Sequence, residues 1–164
     1  MPIKPLFWII VLLLTACGYH PRGAFTLPAN LNNIYLSGAS PELQEHFKKI
    51  LELSSIPLAT SADTAGIIIN VTGESSERRV LSLSAGGTAN DFELDYRFDY
   101  ELLDAQGKLL SARQPVAVKR EYYNNQLAII AKDSEESVIR NEMYQQAVRT
   151  VMNRASVALH AKGH

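Results

Sequence analysis

A single cysteine in 164 residues, Cys17, excludes an internal disulfide framework and every multi-cysteine metal site. The four histidines (His20, His46, His160 and His164) form no HExxH pair. They read as solvated side chains, and no metal site is expected. There is no GxSxG elbow and no Walker loop, and Gly86-Gly87 reads as a turn rather than a phosphate cradle. No catalytic constellation emerges, so an enzyme is disfavoured and no cofactor is expected. Charge of one sign is also lacking: 16 Lys and Arg stand against 17 Asp and Glu, for a net charge of −1. Such a balance gives no general attraction to nucleic acid, and any anionic partner must be met by a local patch. Internal repeats and low-complexity tracts are absent. Long apolar runs are absent too, none reaching the roughly 20 residues that span a bilayer.

The longest apolar run is Leu6 to Leu14, preceded by Lys4. A basic start and a short apolar stretch make residues 1–16 a secretion signal rather than a lasting membrane helix. Leu14-Thr15-Ala16-Cys17 resembles the lipobox of bacterial lipoproteins. That resemblance implies cleavage before Cys17, an S-diacylglycerol and an N-acyl chain on it, and a membrane-anchored product. Two or more acyl chains hold firmly where one is marginal. Gly18 follows the cysteine, and by analogy the lack of Asp there argues for export to the outer membrane. A leader ending at Ala16 leaves 148 residues, enough for one domain with a continuous core.

Residues 17–33 are rich in Gly, Pro and Asn and read as a lipidated linker, leaving 34–164 as the domain. Ile34-Tyr35-Leu36 is a short strand closed by Ser37-Gly38. Ser40 as N-cap and Pro41 at N1 start a helix. Leu43, Phe47, Ile50, Leu51 and Ser54 share its face, and Pro57 prevents its continuation. A weakly patterned β-rich run goes from Ile67 to Leu83. Phe92, Leu94, Tyr96, Phe98, Tyr100 and Leu102 then alternate with Glu93, Asp95, Arg97, Asp99 and Glu101. Period two puts the first set on a buried face and the second on a polar one, a solvated charge ladder rather than an acid/base pair. Asp104 to Gly107 turns the chain into a last strand, from Lys108 to about Tyr123. Asp133 as N-cap with Glu136 three residues on has the form of a capping box. Ile139, Met143, Ala147, Val151, Ala155 and Leu159, widened by Tyr144, Val148 and Met152, give that second helix its apolar stripe. The expected fold is α+β, a four-stranded, mostly antiparallel sheet with two helices packed on one face.

Three basic features are weighed. Arg78-Arg79 lies between β stretches, Lys119-Arg120 lies in the last strand, and Lys132 sits just before the second helix. A cation gains nothing from a helix N-terminus, yet a lysine beside exposed N–H groups can help form an anion site. On spacing alone Lys132 reads first as an ordinary surface lysine in a loop, ahead of an anion site.

Cys17-Gly18-Tyr19-His20-Pro21-Arg22-Gly23 resembles the opening of mature LptE lipoproteins, also called the RlpB family. Gln126 to Glu136, with its Lys132-Asp133-Ser134-Glu135 core, resembles that family's stretch before its second helix, and Ile139 to Ala147 extends the likeness. Two helices against a four-stranded sheet is also that family's fold. The resemblance implies an outer-membrane lipoprotein that binds and plugs the LptD β-barrel and helps deliver lipopolysaccharide to the outer leaflet. By position Lys132 matches a basic, lipopolysaccharide-contacting residue of the family. Ser84 stands where a second basic residue is expected, which makes Arg78 or Arg79 the candidate substitute. The competing readings are a lipid carrier without a barrel partner and a periplasmic enzyme.

Overall fold

The computed structural model describes Phe25, Leu27, residues 33–123 and the backbone of 129–162, with side chains described from Glu135 to Ala161. The leader, Cys17 and most of the linker lie outside the described residues.

Strand β1 (Ile34–Ser37) leads through helix α1 (Pro41–Leu53) to β2 (Ile67–Leu83), with a short 3-10 turn at Ala62–Thr64 on the way. Two hairpins then give β3 (Ala89–Leu103) and β4 (Leu109–Tyr123), and helix α2 (Ile129–Lys162) follows. The sheet order is β1-β2-β3-β4. Among the four strands the β1–β2 pairing is parallel, because a helix separates those strands; the hairpin-linked pairs are antiparallel.

Local chemistry sets the ends of α1. Ser40 Oγ accepts from the Leu43 N–H at 3.2 Å, and Pro41 opens the first turn. At the far end Ser55 takes a φ of 55°, and the Ile56 N–H turns back to the Leu51 carbonyl. Between β1 and α1, Gly38 has a φ of 74°, and a Cβ there would lie 2.2 Å from the Val71 carbonyl oxygen. Only glycine lets the turn lie this close to β2.

The alternating strand forms as expected: Phe92, Leu94, Tyr96, Phe98, Tyr100 and Leu102 are all buried. They meet Leu43, Phe47, Ile50 and Leu51 of α1 and Met143, Ala147, Val148, Val151, Met152, Ala155 and Leu159 of α2 in one core. Each such large side chain withdrawn from water contributes about 1.5–3 kcal/mol. Among the described residues no helix is long and apolar enough to cross a membrane.

Three expectations need correction. Helix α2 begins at Ile129, so Lys132 and Asp133 lie inside the helix rather than before it and at its cap. Ile129-Ile130-Ala131 holds no Pro or Gly to stop a helix. His46 is not solvated: it is 8% exposed and stacks on Tyr144, with ring centroids 5.0 Å apart. Nor is the charge ladder uniformly wet. Glu93 is 6% exposed, covered by Arg79 from β2 at 2.6 Å and by Lys119 from β4 at 3.6 Å.

The outer strand β4 protects its edge. Pro115 has no N–H to offer, its carbonyl accepts from Arg154 Nη1 at 2.7 Å, and the Lys119 carbonyl accepts from Arg120 Nη1 at 2.9 Å. A strand edge defended in this way resists pairing with another chain.

Candidate functional site

The sequence candidates converge on one end of the sheet, where the β2–β3 hairpin approaches the first turns of α2. Consecutive strand residues point to opposite faces, so Arg78 and Arg79 part company. Arg79 joins the polar face, bound to Glu93. Arg78 lies on the helix face, where its Nη1 is 3.1 Å from Glu136 Oε2 and its guanidinium sits 4.9 Å from the Phe92 ring centre. The two arginines therefore do not serve one site. Lys132 lies one helical turn ahead of Glu136 in the backbone; its side chain is outside the described residues. Ser84 sits in the hairpin turn, where its amide donates to the Thr88 carbonyl and its own carbonyl accepts from Gly87.

Glu136 is the hub that sequence reasoning missed. Besides Arg78, it accepts from Arg140 Nε at 2.9 Å and from the Tyr122 hydroxyl, and Arg140 Nη2 lies 2.8 Å away. Arg140 Nη1 in turn donates to Ser76 Oγ at 2.8 Å. Helix α2, β2 and β4 are thus tied together through one carboxylate. Burial alone would raise the Glu136 carboxyl, but hydrogen bonds from Tyr122, Arg140 and Arg78 outweigh it and hold the group below its ordinary range. The hydrogen bond to Glu136 raises Arg78 further. Burial, reinforced by Glu136, pushes Tyr122 up to about 12. The Glu136–Arg140 pair was visible as an i,i+4 spacing. The link to Arg78, 58 residues away, had no signal in the sequence.

Around this hub the surface is mixed. Val80, Leu81, Leu83 and Tyr123 are exposed toward the hairpin end, as is Val138 on α2. Cations and exposed apolar groups side by side suit an amphipathic anion better than a small polar one. Among the described residues no cluster of His, Cys, Asp and Glu could hold a metal ion.

A four-stranded sheet covered by two helices on one face and charged on the other is the domain of a family of bacterial lipoproteins with solved structures. The solution structure of a lipoprotein B from Nitrosomonas europaea superposes with a TM-score of 0.68 at 26% identity, covering 85% of this chain and 90% of that one. The rare lipoprotein B of Shewanella oneidensis has the same fold, with a TM-score of 0.66 at 22% identity over 81% of this chain and all of that one. The sequence model of the LptE lipopolysaccharide-assembly family matches residues 28–155, and the chain belongs to that family. The LPS-assembly lipoprotein LptE of Pectobacterium atrosepticum is 27% identical over 154 residues, 89% of this chain and 80% of the relative. That of Photorhabdus laumondii is 24% identical over 149 residues, 90% and 81% respectively.

Proposed function

We propose that the mature chain is lipidated at Cys17, is anchored in the outer membrane from the periplasmic side, and occupies the lumen of the LptD β-barrel. There it supports barrel assembly and the delivery of lipopolysaccharide to the outer leaflet. The observation that carries this reading is the contrast between the two sheet faces. The aromatic face is sealed by the protein's own helices, and the other presents Glu77, Arg79, Asp95, Arg97 and Lys119. Barrel lumens are polar, and a plug must present a surface fit for such walls. No cofactor enters this role beyond the covalent lipid. The cations proposed to meet the ligand are Lys132, by its match to the family position, and Arg78 at the hub, whereas Arg79 is held by Glu93 on the opposite face.

Purification of the membrane complex through a tag after His164 should recover a large outer-membrane barrel; its absence counts against the proposal. Lys132→Glu should weaken lipopolysaccharide binding while the barrel is still recovered, and unchanged binding returns Lys132 to an ordinary surface role. The rival reading, a lipid carrier, is favoured by an open apolar groove of about 360 Å³ lined by Gln114, Asn153, Arg154, Val157 and Ala158. Saturable displacement of a fluorescent fatty acid from that groove would favour the carrier.

A further inference from the structure

We propose that Arg78, Arg140 and Tyr122 form a cage for a phosphate group of a glycolipid headgroup, and that Glu136 fills this cage as an internal stand-in until the ligand arrives. The proposal rests on the reading above that the ligand is lipopolysaccharide, and it names the atoms that would hold one of its phosphates.

Two guanidinium groups and a phenol from three different elements converge on one carboxylate. Planar guanidinium forks match phosphate oxygens in pairs, and a phosphate offers more acceptor oxygens and more charge than the carboxylate it would replace. Ser76 Oγ steadies Arg140 from β2, so that guanidinium stays aimed whichever anion occupies the centre. The site is reachable: the Arg78 and Arg140 side chains are 47% and 33% exposed, while Glu136 is 16% exposed. Val80, two residues along β2 on the same face as Arg78, is 49% exposed and offers apolar footing beside the charges. A phosphate carrying acyl chains therefore fits better than free phosphate.

A purely structural ion pair and an internal occupant predict opposite signs. Binding of diphosphoryl lipid A, of lipid A stripped of phosphate and of inorganic phosphate is measured with the full-length lipoprotein in detergent, with Glu136→Gln alongside. If Glu136 competes with the ligand, Glu136→Gln binds diphosphoryl lipid A about fivefold or more tightly, the effect of removing one charged competitor. The phosphate-free lipid is unaffected, and adding Arg140→Gln abolishes the gain. Should Glu136→Gln not melt cooperatively, Glu136→Asp, whose shorter arm withdraws the charge, should move affinity the same way by less. Displacement by millimolar inorganic phosphate assigns the cage to phosphate alone, and retention assigns it to phosphate with its acyl chains. Equal or weaker binding by the folded variants overturns the cage. So does failure of both wild type and variants to bind, whereas recovery of the barrel partner reports on the wider function independently.

Discussion

The Glu74 carboxylate accepts both the backbone N–H of Ser40, at 2.8 Å, and its hydroxyl, at 2.7 Å, so the residue that caps α1 is itself held by β2. The Tyr96 hydroxyl donates to the same carboxylate at 2.9 Å, and burial next to it pushes that phenol far above its ordinary value. Glu74 stands in the stretch from Thr72 to Ser75 where the β2–β3 register slips, and the slip brings an acidic side chain to the helix face.

Because these groups act as a unit, Ser40→Ala and Glu74→Ala should each cost about 1–2 kcal/mol, the upper part of the range for a lost N-cap. The double variant should cost less than their sum by about 1 kcal/mol. Urea unfolding of the four proteins measures that coupling, and strict additivity would remove the link.

Arg79→Ala should destabilise by about 1–3 kcal/mol, since it strips the nearer partner from a buried carboxylate. Replacing Glu93 by Gln in the same chain should restore most of the loss. Thermal melts test this, and an Arg79→Ala protein as stable as wild type would show Lys119 sufficient alone.

Met152 is fully buried between α2 and the sheet, whereas Val157 on the same helix is 72% exposed. Met152→Ala should therefore cost about 2–5 kcal/mol and Val157→Ala well under 1 kcal/mol. Equal costs would mean that α2 does not cover the sheet as described.

Burial lowers the pKa of His46, with the Lys49 charge adding to the effect. A lowered folded value means that the unfolded chain takes up the proton first as pH falls. Stability is fully present above the unfolded value of about 6.5 and declines as pH drops through it toward the folded value. Urea unfolding at pH 7.5 and 5.5 should show a loss for the wild type that His46→Phe diminishes. An identical pH response in both proteins would dissociate His46 from it.

The strand from Phe92 to Leu102 was legible because its two faces meet opposite environments along its whole length. The upper part of β2 was weakly patterned for a physical reason: past the register slip its helix-face residues are Ser76, Arg78 and Val80, which meet the rim of α2 rather than the core. The start of α2 was misread because Asp133-Ser134-Glu135-Glu136 has the form of a capping box. Its glutamate is instead recruited by arginines and a tyrosine. Long-range polar bonds of this kind leave no periodicity, so the i,i+4 spacing of Glu136 and Arg140 could be seen in the sequence while their convergence with Arg78 and Tyr122 could not.

The order of elements along the chain has a consequence for biogenesis. A ribosome delivers a polypeptide from its N-terminus, so β2, β3 and β4 emerge before α2, which completes the roof that α1 begins over their aromatic side. For that interval the part of the aromatic surface that α2 will cover stands bare, and such intermediates aggregate. Holdase chaperones that shield the new meander until α2 arrives are therefore expected to govern the yield of this lipoprotein.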